Sequence, residues 1–439
     1  MSENLTNSGV KWYNTAMKYK KRFADNILKE KLEAKGAVLV EGAKWCGKTT
    51  TSEQLAKSIL YMQDPKKKKQ NIELADINPA ILLKGDTPRL IDEWQLAPKL
   101  WDAIRFEVDQ RDAFNQFILT GSAVPADDSE ISHTGTGRIT RMLMRPMSLV
   151  ESGDSNGEIS LKELFNPRYK GESASEAGLE DIAYLVCRGG WPKAVGYAKK
   201  IALQQAFDYY DGVVNSDISR VDNKERNPER AKLLMRSYAR NIGTQVKYEE
   251  IRKDILGNDI DSFNIDTLYD YVNALKKIFV IEDIPAWNPN LRSKTAIRTT
   301  ETRYFVDPSV ATASMGLGPE DLLNDLNTMG LAFENLCIRD LRVYAQAIDG
   351  EIYHYRDKNG LECDAVVHLR NGKYGLVEVK LGGDKLIEEA VKTLSVLENI
   401  IDTDKMNRPS FKMVLIGVGS YAYRRKDGIW VVPITCLGR

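Results

Sequence analysis

The 439-residue sequence contains few of the residues that build metal centres and disulfide frameworks. It has five cysteines and three histidines, and the cysteines are scattered without a CxxC pair or the spacing of a zinc site. Lysine plus arginine equals aspartate plus glutamate at 62 each, so the overall charge does not indicate a nucleic-acid binder, although a local basic face stays open. The cysteine pattern favours a reduced, intracellular protein.

Long hydrophobic runs are also missing. The opening residues MSENLTNSGVKWYNTAMKYKKRF contain no apolar stretch of signal-peptide length, and no window approaches the roughly 20 apolar residues of a membrane span. Hydrophobic content of 43% nevertheless supports fully folded domains, and the length favours roughly two to four of them. These features predict a cytoplasmic protein with no membrane partner.

The order of strand-like and helix-like runs predicts an α/β protein built of several parts. Short β-rich runs alternate with helical stretches from AVLVEG to QFILTGS, which predicts a parallel sheet with flanking helices. Further along, three helical stretches precede two strand-like runs, VIEDIPAW and TRYFVDPSV, and this is the order of a winged helix. The predicted boundaries are 1–30 for a helical N-terminal extension, 31–160 for the parallel-sheet domain, 161–225 for a helical connector, 226–315 for the winged helix and 316–439 for a final α/β domain.

A phosphate-binding loop follows the first predicted strand. The segment VLVEGAKWCGKTT contains a complete G-x-x-x-x-G-K-[ST] motif between a strand and a helical run. The glycines let backbone N–H groups close around phosphate, Lys48 is expected to reach the β- and γ-oxygens, and the Thr49 hydroxyl is expected to bind Mg²⁺. The residues predicted to bind ATP are Gly42, Ala43, Lys44, Trp45, Cys46, Gly47, Lys48, Thr49 and Thr50.

Polar residues at the ends of later strands complete the predicted hydrolytic site. The segment RLIDEWQ offers Asp92 as a Mg²⁺ ligand acting through water, and Glu93 as the catalytic base that polarises the attacking water. The alternative for this pair is a solvated acidic strand end. In FILTGS, Thr120 is placed to sense the γ-phosphate or to hold the attacking water.

Three arginines in GTGRITRMLMRPMSL are candidates for a residue that acts on a neighbouring subunit. Arg138, Arg141 and Arg145 could each neutralise charge in the transition state of phosphoryl transfer. Arg138 is favoured because the flanking glycines suit a presented loop. This role implies a homo-oligomer.

The phosphate loop, LIDEWQ, FILTGS and GRITRMLMRPMSL, taken in this order, resemble prokaryotic ATPases with an AAA+ type P-loop domain. With GGWPKAV and the stretch LECDAVVHLRNGKYGLVEVK added, nearly the whole chain resembles the subfamily whose C-terminal half is a domain of unknown function related to PD-(D/E)xK nucleases. The resemblance implies ATP binding, Mg²⁺-dependent hydrolysis and a restriction-nuclease-like core. The sequence departs from the nuclease pattern where Cys363-Asp364 replaces Pro-Asp, which weakens the signature.

The resemblance implies a second site in the C-terminal domain. A nuclease of this type needs carboxylates around Mg²⁺ or Mn²⁺ and a lysine that orients or activates water. The candidate metal ligands are Glu334, Asp364 and Glu378, and Lys380 is the candidate catalytic lysine. Glu378 and Lys380 are two positions apart on LVEVK and therefore share a face of the strand. The alternative is a hairpin whose charges face solvent, with Lys380 paired to Glu378.

The length of the turn decides whether Asp364 joins this face. A two-residue hairpin at Asn371-Gly372 would set Asp364 opposite Val379 and leave Glu378 on the other side of the sheet. A three-residue loop with Gly372 left-handed would instead set Asp364 opposite Glu378, about 5 Å away. We predict the three-residue loop, or another of odd length.

The predicted winged helix points to DNA as a partner. Its candidate wing, NLRSKTAIRTTETR, carries Arg292, Lys294, Arg298 and Arg303, and cations on a hairpin can contact phosphates whatever the base sequence. A protein-docking wing is the alternative. The leading hypothesis is an ATPase coupled to DNA binding and cleavage; the alternative is a nucleotide-dependent switch whose C-terminal domain is a catalytically inactive module that recognises DNA or protein.

Overall fold

A computed structural model describes residues 19–121, 134–222, 224–256, 263–288, 300–404 and 406–439. The helices are α1 Phe23–Ala34, α2 Lys48–Glu53, α3 Lys68–Ile77, α4 Leu100–Arg111, α5 Leu149–Ser152, α6 Leu161–Leu164, α7 Leu179–Arg188, α8 Lys199–Gly212, α9 Ile218–Arg220, α10 Pro228–Arg240, α11 Tyr248–Leu256, α12 Ile265–Lys277, α13 Pro308–Met315, α14 Pro319–Asn324, α15 Leu326–Gln346 and α16 Asp384–Ile400. The strands are β1 Ala37–Glu41, β2 Ser58–Tyr61, β3 Arg89–Asp92, β4 Phe117–Gly121, β5 Ile139–Leu143, β6 Ile159–Ser160, β7 Ser173–Ala174, β8 Gly350–Arg356, β9 Glu362–Leu369, β10 Tyr374–Lys380, β11 Phe411–Ile416, β12 Tyr421–Arg424, β13 Trp430–Pro433 and β14 Leu437–Gly438. None of these helices combines the length and apolarity needed to cross a bilayer.

The N-terminal sheet has five strands in the order β2-β3-β4-β1-β5, and every neighbouring pair is parallel. Its central strands β1 and β4 are buried along almost their whole length, as their continuous apolar runs require when helices cover both faces. Because the strands are parallel, the segments that follow β1, β3 and β4 emerge at one edge. The predicted parallel sheet with flanking helices is confirmed.

The middle of the chain is helical, and its predicted wing is only partly described. Helices α10, α11 and α12 precede two antiparallel bridges, Ile281 with Phe305 and Ile284 with Thr302, in place of the two continuous strands that the sequence predicted. The wing residues Arg292, Lys294 and Arg298 lie outside the described residues. The winged helix therefore stays a prediction.

Arg303, the fourth predicted wing cation, is buried, with 4% of its surface exposed. Its Nη1 lies 2.9 Å from Asp283 Oδ2, and its guanidinium stacks over the Tyr248 ring at 4.1 Å. The expectation that Arg303 contacts phosphates was wrong, because its charge is already neutralised inside the fold.

A seven-stranded mixed sheet forms the C-terminal domain, in the order β7-β12-β13-β11-β10-β9-β8. Apolar residues of α15 pack with Ala365, Val367 and Val377, whereas those of α16 pack with Val366 and Leu376, so the two helices cover opposite faces. The chain segment after the first sheet supplies β7 at one edge, and β6 of that segment pairs with β14. The segment that carries β6 and β7 is thus part of the C-terminal domain's structure.

A buried ionic cluster ties these parts together around Arg339 of α15, which is 1% exposed. Arg339 lies 2.9 Å from Asp307 and 2.7 Å from Asp340. Asp307 also accepts the Gly190 N–H, within the GGWPKAV segment, and Asp340 accepts the Leu149 N–H at the start of α5, each over 2.9 Å. These hydrogen bonds therefore join the N-terminal sheet domain at Leu149, the helical middle at Gly190 and Asp307, and the C-terminal domain at Arg339 and Asp340.

Candidate functional site

The phosphate loop joins β1 to α2 and has the conformation that its glycines predict. Gly42 has φ +147°, and a Cβ there would lie 2.1 Å from the Met144 carbonyl oxygen, so only glycine fits. The buried Lys48 ammonium donates to the carbonyl oxygens of Gly42 and Ala43, each over 2.9 Å. These bonds hold Lys48 across the loop that is expected to surround phosphate.

Asp92 is the centre of the polar cluster beside the loop. It is 1% exposed, and its Oδ1 accepts hydrogen bonds of 2.7 Å from both the Thr49 and the Thr120 hydroxyls. The register of β3 and β4 sets Asp92 beside Thr120, and the loop brings Thr49 to the same carboxylate. The structure therefore brings together three residues that the sequence analysis had selected from three separate segments.

Gln63 is a fourth member of this cluster, and the sequence analysis missed it. Its Nε2 donates to Asp92 Oδ2 over 3.1 Å. The only signal in the sequence was its position, two residues after β2 ends, at the sheet edge where the phosphate loop also lies.

Glu93 follows Asp92 in a left-handed backbone conformation, with φ +58°. This conformation is uncommon for a residue with a side chain, and strained residues of this kind cluster at active sites and switch regions. Burial, and then the charge of Asp92, raise the pKa of Glu93, which accepts a hydrogen bond from Gln95 Nε2. A carboxylate with a raised pKa is a stronger base, as activation of water requires.

Lys44 and Trp45 of the phosphate loop contact the helical connector. No sequence motif indicated this contact. Trp45, with φ +65° and 46% exposure, packs against Tyr209 with ring centroids 5.9 Å apart, and Tyr209 stacks on Trp191 at 4.2 Å. Lys44 is ion-paired with Asp217 just before α9. Of the remaining predicted loop residues, Cys46 is buried and Thr50 is exposed.

The structure separates the three candidate arginines. Arg138 pairs with Asp109 over 2.7 Å and precedes β5, at the amino edge of the sheet, whereas the phosphate loop lies at the carboxyl edge. Arg141 pairs with Glu41 over 2.9 Å, and the partly buried Arg145 is ion-paired with Glu282 over 2.6 Å. Arg138 could consequently act only on the site of another subunit, and Arg145 is committed to a contact within the chain.

A three-residue loop joins β9 to β10 in the C-terminal domain. Leu369 N–H donates to the Lys373 carbonyl, so residues 370–372 form the loop, and Gly372 has φ +82°. The register that results sets Val377 opposite Ala365. Turn length and left-handed glycine are confirmed as predicted.

Three of the four residues proposed for the second site lie close together on β9 and β10. The Lys380 ammonium lies 2.9 Å from Glu378 Oε2 and 3.5 Å from Asp364 Oδ2. Asp364 Oδ2 also accepts the Val379 N–H over 2.7 Å. The two carboxylates are thus brought to one lysine, as the odd loop required.

Burial makes this second site unusual electrostatically. Glu378 is 4% exposed, its Oε1 has no hydrogen-bond partner among the described residues, and burial followed by the Asp364 charge raises its pKa to about 8. Although burial opposes it, the charges of Asp364 and Glu378 raise the pKa of Lys380. The site therefore favours a positive charge at its centre.

Glu334 on α15 completes this set. Its carboxylate accepts a hydrogen bond from Tyr304, and burial, followed by the Asp364 charge, raises its pKa well above the usual value. Tyr304 lies in the strand-like run TRYFVDPSV, directly after the predicted wing, and no sequence motif linked it to Glu334. The four residues Glu334, Asp364, Glu378 and Lys380 influence one another electrostatically.

The two sites differ in how well their side chains are placed to bind a metal ion. The Thr49 hydroxyl and the Asp92 carboxylate are oxygen ligands of the kind that Mg²⁺ uses together with waters and phosphates. At the second site the Lys380 ammonium already lies among the carboxylates, and in the described part of the chain no group of three or more His, Cys, Asp and Glu side chains is placed to hold a metal ion. The unpartnered Glu378 Oε1 is the feature there that favours a cation.

Comparison with known proteins divides the chain into three matched segments. Residues 34–152 match a family model described as AAA domain. Residues 179–321 match a domain of unknown function (DUF8612), and residues 329–437 match another domain of unknown function (DUF4143). No curated protein matches the chain.

The solved structures that are similar to this chain include two ATPases. One is the Walker-type ATPase of Pyrococcus abyssi, with 15% identity, a TM-score of 0.39, and coverage of 66% of this chain and 94% of that one. The other is a signal transduction ATPase with numerous domains and a tetratricopeptide repeat sensor from Pyrococcus horikoshii, with 14% identity, a TM-score of 0.20, and coverage of 73% of this chain and 47% of that one. Both superpositions are loose, so the assignment rests on the family model. The segment 34–152 is accordingly a P-loop ATPase domain of the AAA kind, followed by two domains whose families have no described function.

Proposed function

We propose that this protein binds ATP together with Mg²⁺ and hydrolyses the bond between the β- and γ-phosphates of ATP. The observation that carries the proposal is the contact of Asp92 with both Thr49 and Thr120 beside a loop held by Lys48. These residues come from three separate segments, the start of α2 and the ends of β3 and β4, and a solvated acidic strand end would not bring them together. Their arrangement is the one that phosphoryl transfer requires, in which positioning and charge stabilisation do most of the work.

Each residue has a separate role in the proposed reaction. Lys48 would exchange its bonds to the loop carbonyls for the β- and γ-phosphate oxygens, and Thr49 with Asp92 would hold Mg²⁺. The ion supplies positive charge that neutralises those phosphate oxygens. Glu93 would accept the proton of the attacking water, and Thr120 would orient that water. In a homo-oligomer, Arg138 of one subunit would stabilise the developing charge at the next.

The test is ATP binding and hydrolysis by the purified full-length protein. Lys48→Ala should weaken binding of ATP, whereas Glu93→Gln should bind ATP like the wild type and stall hydrolysis by roughly a hundredfold or more. Lys57→Ala is the matched control, because Lys57 is exposed beyond α2. Undiminished ATP turnover in both site variants would refute the assignment.

A second candidate function, supported by the convergence of Asp364, Glu378 and Lys380, is cleavage of DNA by the C-terminal domain. In it, Lys380 would orient the attacking water or a phosphate oxygen. In the described residues the carboxylates are not placed to hold Mg²⁺ or Mn²⁺ while the Lys380 ammonium lies between them, so this reaction would require Lys380 to move and Asp364, Glu378 and Glu334 to become the oxygen ligands of the ion. The site would be coupled to the ATPase domain in the same chain.

Plasmid cleavage distinguishes this activity from its alternative. The protein is incubated with plasmid and Mg²⁺ or Mn²⁺, with and without ATP, and compared with Lys380→Ala and with the exposed hairpin control Lys373→Ala. Cleavage by the wild type and by Lys373→Ala, but not by Lys380→Ala, would support the nuclease. Absence of cleavage in every condition would favour a nucleotide-dependent switch whose C-terminal domain only binds DNA or protein.

A further inference from the structure

A buried arginine that directly precedes α1 contacts the phosphate loop on the loop's buried side. Arg22 is 6% exposed, although it lies only a few residues into the described chain. Its Nη1 donates to the Cys46 carbonyl oxygen and its Nη2 to the Arg145 carbonyl oxygen, each over 2.8 Å. Neither the motif nor the hydrolytic cluster accounts for a charged group at this place.

The other side of the guanidinium is held by an acidic partner. Arg22 Nε lies 3.2 Å from Glu151 Oε1, and Glu151 is itself fixed because it accepts the Phe23 N–H over 2.7 Å and the Ser148 N–H over 2.8 Å. Asp25 accepts the Arg22 N–H over 2.9 Å. Arg22 is therefore a rigid support, and its charge is compensated on the side away from the loop.

The bond to Cys46 has a direct consequence for the next residue. A trans peptide unit directs its C=O and its N–H to opposite sides. Since the Cys46 carbonyl is turned inward to Arg22, the N–H of Gly47 is turned outward, to the open side of the loop. Gly47 has φ +103°, a conformation that lets this peptide unit take the required orientation.

We propose that Arg22 is a positioning residue for the phosphates of the nucleotide. Lys48 holds the first carbonyls of the loop, those of Gly42 and Ala43, and Arg22 holds the Cys46 carbonyl near its end. Arg22 is too deeply buried to contact phosphate itself, so it acts through the orientation of the Gly47 N–H. Loss of the guanidinium leaves the buried Cys46 carbonyl and the part-buried Arg145 carbonyl without this donor, and the last peptide units of the loop lose their fixed direction.

The experiment rests on the proposed ATP binding and uses the full chain. Isothermal titration with ATP·Mg²⁺ and with inorganic pyrophosphate is carried out on wild type, Arg22→Ala and Arg22→Lys, well below the melting temperature of each. The matched control is Lys21→Ala, since Lys21 is the exposed neighbour. Arg22→Ala should raise the Kd for both ligands by the same factor, about tenfold or more, because both use the phosphate-binding loop. Arg22→Lys should lose less, and Lys21→Ala should match the wild type.

A second readout separates positioning from a role in folding alone. Hydrogen exchange of the peptide that spans the loop should be faster in Arg22→Lys than in Lys21→Ala, whereas exchange in β1 should be unchanged. If Arg22→Ala does not fold, the lysine variant decides the question by the same two measurements. Folded Arg22 variants that bind ATP and pyrophosphate within about twofold of wild type would overturn the proposal while leaving ATP binding intact. Failure of the wild type to bind either ligand would refute the proposed function and the role of Arg22 with it.

Discussion

The Thr120 hydroxyl donates a hydrogen bond of 2.7 Å to the same Asp92 oxygen that accepts the Thr49 hydroxyl. Thr120 therefore connects the end of β4 to the predicted Mg²⁺ ligands without belonging to the phosphate loop. If Thr49 and Asp92 hold Mg²⁺ as proposed, a change at Thr120 should affect hydrolysis through this shared oxygen.

Thr120→Val should separate binding from hydrolysis. The change keeps the side-chain volume but removes the donor, so we expect the Kd for ATP to stay within about twofold and turnover to fall roughly tenfold or more. Thr120→Ser retains the hydroxyl and should keep most of the activity. Steady-state hydrolysis with parallel binding measurements checks this; equal turnover in the valine variant and the wild type would contradict it.

Gly372→Ala should destabilise the C-terminal domain by about 1 kcal/mol. Gly372 is left-handed with φ +82°, and no atom of the described residues lies within 4 Å of an added Cβ, so the cost arises from backbone conformation. Gly212→Ala is the control: an added Cβ there also meets nothing, but the residue is helical, and alanine should stabilise by up to about 1 kcal/mol. Urea unfolding should thus shift the two variants in opposite directions, and a shift of both in one direction would be inconsistent with this account.

Glu282→Gln should destabilise the protein in a pH-dependent way. Arg145 Nη2 lies 2.6 Å from Glu282 Oε1, and Arg342 Nη1 lies 3.5 Å from Oε2. Burial raises the pKa of Glu282, but the charges of Arg145 and Arg342 outweigh it and lower the pKa from 4.5 to about 2. The carboxylate therefore contributes its stability above pH 4.5 and loses it as the pH falls toward 2.

The expected loss in Glu282→Gln at pH 7 is at most about 3 kcal/mol, and it should shrink below pH 4.5. Unfolding free energies measured between pH 7 and pH 3.5 test this. Glu33→Gln is the control, because the Glu33 side chain is 65% exposed and lies 4.0 Å from Lys29; it should change stability by less than about 0.5 kcal/mol. A constant difference between Glu282→Gln and wild type across the range would contradict the assigned pKa.

Arg339→Met should cost about 3 to 5 kcal/mol of unfolding free energy. Arg339 lies within hydrogen-bonding distance of both Asp307 and Asp340, which are fully buried, so its removal leaves two carboxylates uncompensated in the interior. Arg240→Met is the comparison, since Arg240 is 62% exposed and pairs with Asp254. If thermal and urea unfolding found less than about 1 kcal/mol lost in Arg339→Met, the cluster could not be what joins the three parts of the chain.

Local chemistry explains which predictions were confirmed. The phosphate loop depends on glycines whose backbone freedom is a property of the residue type, and the hairpin register depends on a left-handed Gly372 and on loop length. Alternation of apolar residues then decided which side chains of β10 share a face. These features follow residue type and side-chain alternation over a few positions, so they could be inferred from adjacent residues.

Burial of cations could not be inferred in this way. Arg303 was expected on an exposed wing and Arg145 among candidates for the neighbouring site, yet Asp283 and Glu282 neutralise them inside the fold. The same holds for Arg22, whose partners are supplied by segments far along the chain. Whether an arginine is exposed or paired depends on which carboxylates and carbonyls the folded chain brings to it.

The sequence by itself determined the phosphate loop, the parallel arrangement of the first sheet and the odd turn that brings Asp364 and Glu378 to Lys380. Only the tertiary structure decided that Asp92 collects Thr49 and Thr120, that Tyr304 binds Glu334, and that Arg22 supports the loop from below. The physical reason is range: backbone conformation and side-chain alternation are set over a few residues, whereas desolvated charges are stable only beside partners that folding brings from elsewhere in the chain.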